Sequence, residues 1–74
     1  MMYYNKNQRS EITSVTIPAT VTFLDPLVFC QCYKLETINF EGTMEQWNAI
    51  IKDPDWNRDI PATYVQCSDG RVYF

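Results

Sequence analysis

The sequence contains no histidine, and this absence removes several classes of function. Zinc sites that use an imidazole ligand are excluded. General acid–base catalysis loses its commonest group, and no other nucleophile lies beside a base at a recognisable spacing. We therefore predict that the chain is not an enzyme and that it binds neither a metal nor a cofactor.

Positive charge is scarce and scattered. Six Lys and Arg residues stand against nine Asp and Glu residues, for a formal net charge of −3. Because no basic cluster is present to collect phosphates, the sequence predicts no direct binding to nucleic acid. No apolar run has the length of a membrane span or of a signal-peptide core, so we expect no membrane partner. The expected location is cytoplasmic for a full-length chain, or the cell surface for a fragment of an exported array.

Cysteine occurs three times, an odd number that argues against a disulfide framework. One residue separates Cys30 from Cys32, which points their thiols apart on an extended chain. We predict buried structural thiols at Cys32 and Cys67, and a Cys30 that lies nearer the surface. The acidic stretch 53–59 lacks the Gly bend and the bidentate Glu of a calcium loop, so it is predicted to be a solvated loop.

Against these absences stands a repeated pattern of apolar residues. The spacing apolar-x-x-apolar-x-apolar occurs twice, and the second copy follows the first by 23 residues, from Ile12 to Leu35. The two copies are Ile12, Val15, Ile17 and Leu35, Ile38, Phe40. A repeat of this length indicates a solenoid. With 46% hydrophobic residues the chain is expected to fold, although 74 residues form one domain at most, with a small core.

Each copy of the pattern predicts a short strand. β-branched residues and alternating apolar positions indicate strands at about 13–17 and 36–40, and we expect these strands to pair as parallel neighbours. Pro18 ends the first strand, because proline has no N–H to donate to a ladder.

The segment between the two strands is predicted to return along a second wall. Val21 and Leu24 are spaced to point into the same core from the opposite side. Asp25-Pro26 marks a turn, and the apolar residues of 27–35 fit about one helical turn followed by a corner.

The second half of the chain predicts a helix. Thr43 and Gln46 form a capping box, which places a helix at about 44–52. Asp53-Pro54 ends it, because the residue before proline disfavours the helical region. The apolar face of this helix consists of Met44, Trp47, Ile50 and Ile51. Glu41 and Glu45 flank its start, where they complement the helix dipole.

The last residues predict a β-hairpin over 64–74. Asp69-Gly70 supplies the positive φ that a tight hairpin turn requires. Such a hairpin covers the last layer of a core, as a cap does.

These residues resemble a known family. The run from Ile12 onward resembles the leucine-rich repeat of BspA-type bacterial surface proteins, whose pattern is L-x-x-I-x-I-P-x-x-V-x-x-I-x-x-x-A-F-x-x-C-x-x-L. The matching positions are Ile12, Val15, Ile17, Pro18, Val21, Leu24, Phe29, Cys32 and Leu35. The rest resembles the terminal unit of such arrays, F-x-G-T-x-x-Q-W-N-x-I, then a Trp, then a C-x-D-G hairpin. Its matching positions are Phe40, Gly42, Thr43, Gln46, Trp47, Asn48, Ile50, Trp56, Cys67, Asp69 and Gly70.

The resemblance implies an α/β fold, namely a minimal right-handed leucine-rich-repeat solenoid with short parallel strands, one helix and a C-terminal capping β-hairpin. It also implies that Cys32 is buried and that Trp47 and Trp56 lie in the core of the cap. The single domain 1–74 would consist of an N-terminal arm at 1–11, a complete repeat at 12–34, a terminal repeat at 35–63 and a capping hairpin at 64–74.

From this architecture we predict a non-enzymatic protein–protein interaction module that contacts another protein or a second copy of itself. So short a solenoid leaves an apolar N-terminal face, which we expect to be covered by a second copy, by the N-terminal arm or by a partner protein. A two-fold dimer joined there would be isologous. The candidate contact or dimer face is Tyr3, Tyr4, Ile12, Val15, Ile17, Val21 and Leu24. Tyr33 and Tyr73 are further candidates for exposed contacts.

Two alternative functions stay open. The first is a small phage- or plasmid-borne inhibitor of a host defence protein such as a CRISPR effector nuclease. The second is the structural C-terminal cap of a longer cell-surface adhesin array.

Overall fold

The computed structural model describes residues 10–74, so the predictions for Tyr3, Tyr4 and most of the N-terminal arm lie outside the described residues. The described part is a small α/β domain with a mostly parallel sheet, one short helix and a C-terminal antiparallel hairpin. Its elements are β1 (Ser14–Ile17), β2 (Phe23–Leu24), β3 (Thr37–Phe40), α1 (Met44–Ala49), β4 (Ile51–Lys52), β5 (Tyr64–Cys67) and β6 (Gly70–Tyr73).

The two copies of the apolar pattern form neighbouring parallel strands. β1 pairs with β3 so that Val15 lies opposite Ile38 and Ile17 lies opposite Phe40, which is the offset of 23 residues that the sequence predicts. All four side chains are buried, because alternate residues of a strand point to the same face of the sheet. The strand predictions and their parallel pairing are confirmed.

The predicted C-terminal hairpin is confirmed, and it belongs to the same sheet. β5 pairs antiparallel with β6 around Ser68 and Asp69, and Gly70 has a φ of 154°. β5 also pairs in parallel with β3, with Ile38 opposite Val65, so the strand order is β1-β3-β5-β6. The sequence pattern predicts the hairpin only as a cover of the last core layer and gives no signal for the β3–β5 ladder.

Helix α1 is shorter than predicted. It begins at Met44 as expected but ends at Ala49, because Ile50 is its C-cap and has extended backbone angles, φ −68° and ψ 132°. Ile51 and Lys52 form β4 instead, and the N–H of Ile51 donates to the carbonyl of Thr22 at 3.1 Å. The prediction of a helix to residue 52 is therefore wrong, because the ladder with β2 takes the backbone groups of its last turn.

The side chain of Lys52 binds the C-terminal end of α1. Nζ of Lys52 donates to the carbonyls of Trp47 and Ile50 at 2.7 and 3.0 Å. The Trp47 carbonyl also accepts from the N–H of Ile50 at 3.1 Å, so the lysine is its second donor. The ammonium lies 4.8 Å from the centre of the Trp47 ring. Partial burial lowers the pKa of Lys52. Lys52 therefore donates hydrogen bonds to carbonyl groups at the C-terminal end of the helix.

The beginning of α1 has the predicted capping box. The N–H of Gln46 donates to Oγ1 of Thr43 at 3.1 Å, and the N–H of Thr43 donates to Oε1 of Gln46 at 2.8 Å. A further cap comes from the hairpin, because the N–H of Met44 donates to Oδ1 of Asp69 at 2.8 Å. The carboxylate of Asp69 thereby ties the hairpin turn to the first turn of the helix.

Replacing Thr43 with Ala is expected to reduce the free energy of unfolding by about 1 kcal/mol, because one N–H of the first turn loses its acceptor. Urea denaturation followed by tryptophan fluorescence measures the change. Thr20→Ala is the matched control, since Thr20 is exposed and lies outside the helix. Equal stability of the two variants would contradict a stabilising role for the capping box.

The segment after Asp25 forms a series of turns. The N–H groups of Val28, Cys30 and Cys32 donate to carbonyls three residues earlier, at 3.3, 3.2 and 3.1 Å. The chain forms no helix between residues 25 and 36, and these bonds between residues three apart lie where about one helical turn followed by a corner is predicted. Gln31 adopts a positive φ of 67° and turns the chain back toward β3.

The core contains a connected group of aromatic rings. Trp56 packs edge-on against Phe29, Trp47 and Phe74, with ring centres 6.1, 5.5 and 4.9 Å apart. Trp47 makes a similar contact with Phe40 at 5.5 Å. Both tryptophans are buried, which confirms their predicted place in the core. The aromatic group joins the helix, the turns and the end of the chain.

Candidate interaction surface

The described residues of the contact face predicted from the sequence pack in or against the core. Ile17 and Leu24 have no exposed area, and Val15 is 9% exposed. Ile12 and Val21 are partly buried and pack against the same core. Val15, Ile17 and Leu24 point inward and belong to the core, and the covering of this face by a second copy, the N-terminal arm or a partner stays a prediction. Tyr3 and Tyr4 lie outside the described residues.

The opposite side of the four-stranded sheet is the broad regular surface of the described chain. Outward-pointing residues alternate with buried ones on β1, β3 and β5, and with half-buried ones on β6. We call them the sheet face, which comprises Ser14, Thr16, Thr37, Asn39, Tyr64, Gln66, Arg71 and Tyr73. One row of this face crosses all four strands, because Thr16 lies opposite Asn39, Asn39 opposite Gln66, and Gln66 opposite Arg71.

Two tyrosines lie on the part of the sheet face that belongs to β5 and β6, which we call the hairpin end. Tyr64 and Tyr73 are register partners on β5 and β6, with ring centres 5.3 Å apart. Tyr73 is 66% exposed, as its predicted place among the exposed contact candidates requires. Tyr33 is also exposed but lies in the turn segment rather than on the sheet. The two tyrosines on the sheet give this end a large amphipathic contact area.

Arg71 is held in place by its neighbours on the sheet face. Its Nε donates to Oε1 of Gln66 at 2.9 Å, and its guanidinium carbon lies 4.6 Å from the centre of the Tyr64 ring. The pKa of Arg71 is raised, first by a side-chain hydrogen bond with Tyr73 and then by the nearby Tyr64. Because a guanidinium is always protonated in proteins, Arg71 is a permanent cation on the sheet face.

A smaller apolar strip lies on the β2–β4 pair. Phe23 and Ile51 are register partners, and both are more than half exposed. Sequence analysis does not identify this strip, because it places Ile51 on the buried face of a helix. The alternation within β2, with Phe23 exposed beside buried Leu24, is the signal that identifies one half of it.

The three cysteines differ in burial. Cys32 and Cys67 are buried as predicted, and burial, followed by the charge of Asp69, raises the pKa of the Cys67 thiol. Cys30 is half-buried. Within residues 10–74, no group of three His, Cys, Asp or Glu side chains is arranged to hold a metal ion.

Carboxylates at Asp25 and Asp53 act in local turns. Each accepts from the backbone N–H two residues later, at 2.8 and 2.9 Å respectively. Such bonds are typical of aspartates that initiate turns. The acidic stretch 53–59 is thus largely exposed turn structure, in agreement with the predicted solvated loop.

An open groove lies beside the turn segment. It has a volume of about 240 Å³ and is lined in part by Leu27, Cys30, Tyr33 and Arg58. This volume is below the range of about 300–1,000 Å³ that is usual for small-molecule sites. The Arg58 side chain is already close to a carboxylate oxygen of Asp59, at 3.9 Å. The groove is therefore a weaker candidate for binding than the sheet face.

Comparison of the chain with protein-family models, with curated proteins and with solved structures finds no match. The resemblance to BspA-type repeats therefore stays a prediction. Among residues 10–74, the structure contains no helix with the length and apolarity needed to span a bilayer.

Proposed function

We propose that the chain is a non-enzymatic protein-interaction module and that the sheet face is its binding surface. The observation that carries the proposal is the continuous row from Thr16 to Arg71 across four strands. A sheet fixes the positions of its outward side chains, so little ordering is required when a partner binds. Tyr, Ser, Asn and Arg side chains are also those that protein-binding surfaces use, since they combine apolar area with hydrogen bonding.

We further propose that the domain is a minimal right-handed leucine-rich-repeat solenoid. Two parallel ladders support this proposal, because β1 pairs with β3 and the following β2 pairs with β4. Successive segments that pair along two walls are the expected layout of stacked repeats. The partner is then another protein, or a second copy of the chain.

A specific observation favours the alternative of a structural cap. β6 is antiparallel to β5 and occupies one edge of the sheet, so the parallel order ends there. Capping units of repeat arrays end a stack in this manner. The inhibitor alternative would use the same sheet face with a host defence protein as the partner, and it stays a prediction.

Site-specific photocrosslinking in cells of the source organism tests the proposed surface. The photoreactive residue p-benzoylphenylalanine replaces Tyr73 on the sheet face or, as a control, exposed Tyr33 outside it. We expect discrete crosslinked proteins from position 73 and none in common from position 33. Crosslinks of the same proteins from both positions, or none from position 73, would contradict the proposal.

A substitution at the centre of the sheet face sharpens this test. Asn39→Arg places a long charged side chain between Thr16 and Gln66, and it is expected to reduce the crosslinks from position 73 by about tenfold or more. Ile51→Arg, on the β2–β4 pair, is the matched control and should leave them unchanged. Thermal unfolding confirms that both variants fold. Loss of crosslinks with the control alone would assign binding to the other sheet.

A further inference from the structure

We propose, on the basis of the proposed function, that the hairpin end of the sheet face binds a carboxylate on an acidic segment of the partner protein. The binding group is the arginine corner, which we define as Tyr64, Gln66, Arg71 and Tyr73. Its four residues belong to the two strands of one hairpin and are paired in register, Tyr64 with Tyr73 and Gln66 with Arg71.

The distribution of charge selects an anionic partner at this corner. Arg71 is the one residue of the sheet face that is ionised at neutral pH, within a chain whose net charge is −3. The nearest carboxylate along the chain is Asp69, which accepts from the N–H of Met44 at the start of α1. Glu36 and Glu41 precede and follow β3, outside the hairpin that carries the corner. No carboxylate of the described chain is recorded in an ion pair with Arg71.

The side chain of Arg71 is positioned before any partner arrives. Gln66 accepts from Nε at 2.9 Å, and Gln66 is itself fixed because its Nε2 donates to the carbonyl of Cys67 at 3.0 Å. The Tyr64 ring supports the guanidinium from one side. Nε–H of Arg71 bonds Gln66 and a further side-chain hydrogen bond joins Arg71 to Tyr73, and the remaining guanidinium N–H groups can donate to a carboxylate. The phenol groups of half-buried Tyr64 and exposed Tyr73 belong to the same corner.

A protein carboxylate fits this corner better than a nucleic-acid phosphate. Binding to nucleic acid relies on several cations that neutralise neighbouring phosphates, whereas the sheet face has a single cation. One arginine with two tyrosines instead matches the hot-spot residues of protein interfaces. The partner therefore presents one Asp or Glu side chain, or a chain-terminal carboxylate, within an otherwise polar contact.

The direct test uses two blocked tetrapeptides, one made of glutamate and one made of glutamine, and follows the side-chain N–H signals of Arg71 and Gln66 by NMR. The glutamate peptide should shift the Nε–H signal of Arg71 saturably, with an affinity about tenfold or more above that of the glutamine peptide. Arg71→Gln should remove this difference. Arg58→Gln, which removes an exposed arginine elsewhere, should preserve it. Equal shifts with the two peptides, or tighter binding of inorganic phosphate, would overturn the proposal.

The photocrosslinking measurement separates this inference from the proposed function. With Arg71→Gln in the background, crosslinks from position 73 should fall by about tenfold. If they persist unchanged and still depend on Asn39, the carboxylate proposal is wrong and the sheet face remains the binding surface. If wild-type chains give no crosslinks from position 73, both proposals fail.

Discussion

Replacing Ile38 with Asp is expected to abolish folding. Ile38 has no exposed area and lies between Val15 on one neighbouring strand and Val65 on the other. A carboxylate at this position has no cation to pair with, so it costs about 4 kcal/mol or more, in addition to the lost apolar burial. A domain this small has little stability in reserve. Circular dichroism and tryptophan fluorescence should show an unfolded chain at room temperature.

The matched control for this variant is Asn39→Asp. Asn39 is the next residue on the same strand but points to the sheet face, where it is only partly buried. The same carboxylate should therefore change the unfolding midpoint by little, about 0.5 kcal/mol in free energy. If both variants unfold, or if Ile38→Asp remains folded, the inward and outward assignment of β3 is wrong.

Trp56→Ala is expected to remove about 3–5 kcal/mol from the free energy of unfolding. The ring of Trp56 contacts three other aromatic rings, those of Phe29, Trp47 and Phe74, so its loss leaves a cavity at the junction of three segments. Urea denaturation followed by circular dichroism is the measurement, because the variant loses half of its tryptophan signal.

Tyr33→Ala provides the comparison for this aromatic variant. Tyr33 is 60% exposed, and its truncation should change stability by no more than about 0.5 kcal/mol. A loss of less than about 1 kcal/mol for Trp56→Ala would show that the aromatic group is not the centre of the core. Loss of equal size for the two variants would lead to the same conclusion.

The repeat pattern predicts the pairing of β1 with β3 because its apolar positions are the buried residues of the two strands. A spacing that recurs after 23 residues requires equivalent side chains to stack, and Val15 and Ile38 do so. The capping box likewise predicts the start of α1, since it is a local signal whose partners are three residues apart. Local hydrogen bonding and apolar periodicity are the two features that sequence alone specifies here.

The errors have a common physical cause, which is competition from distant segments. The helix was expected to continue through Ile51, whose apolar side chain fits a helical stripe, yet its backbone pairs with β2 instead. The β3–β5 ladder joins Ile38 to Val65, at a different offset from the first pair, so no repeated spacing signals it. Asp69 caps a helix that lies 25 residues earlier. Such contacts depend on tertiary structure, so no regular spacing in the sequence predicts them.

The sheet face is absent from the sequence predictions for a related reason. Apolar periodicity identifies inward residues such as Ile17 and Leu24, which are buried. The outward residues between them, such as Thr16 and Asn39, are polar and have no distinctive spacing of their own. These polar residues form a continuous surface only because the strand register places them next to one another.

The register of β1 against β3 is therefore the central claim, because a shift by one residue would exchange the buried and exposed sets. Disulfide trapping measures it directly. Ser14 and Thr37 are partners on the sheet face, and the pair Ser14→Cys with Thr37→Cys, in a Cys30→Ser background, should oxidise readily under mild conditions. The pair Ser14→Cys with Asn39→Cys is displaced by two residues and should oxidise much more slowly. Faster oxidation of the displaced pair, or equal rates for the two, would contradict the account.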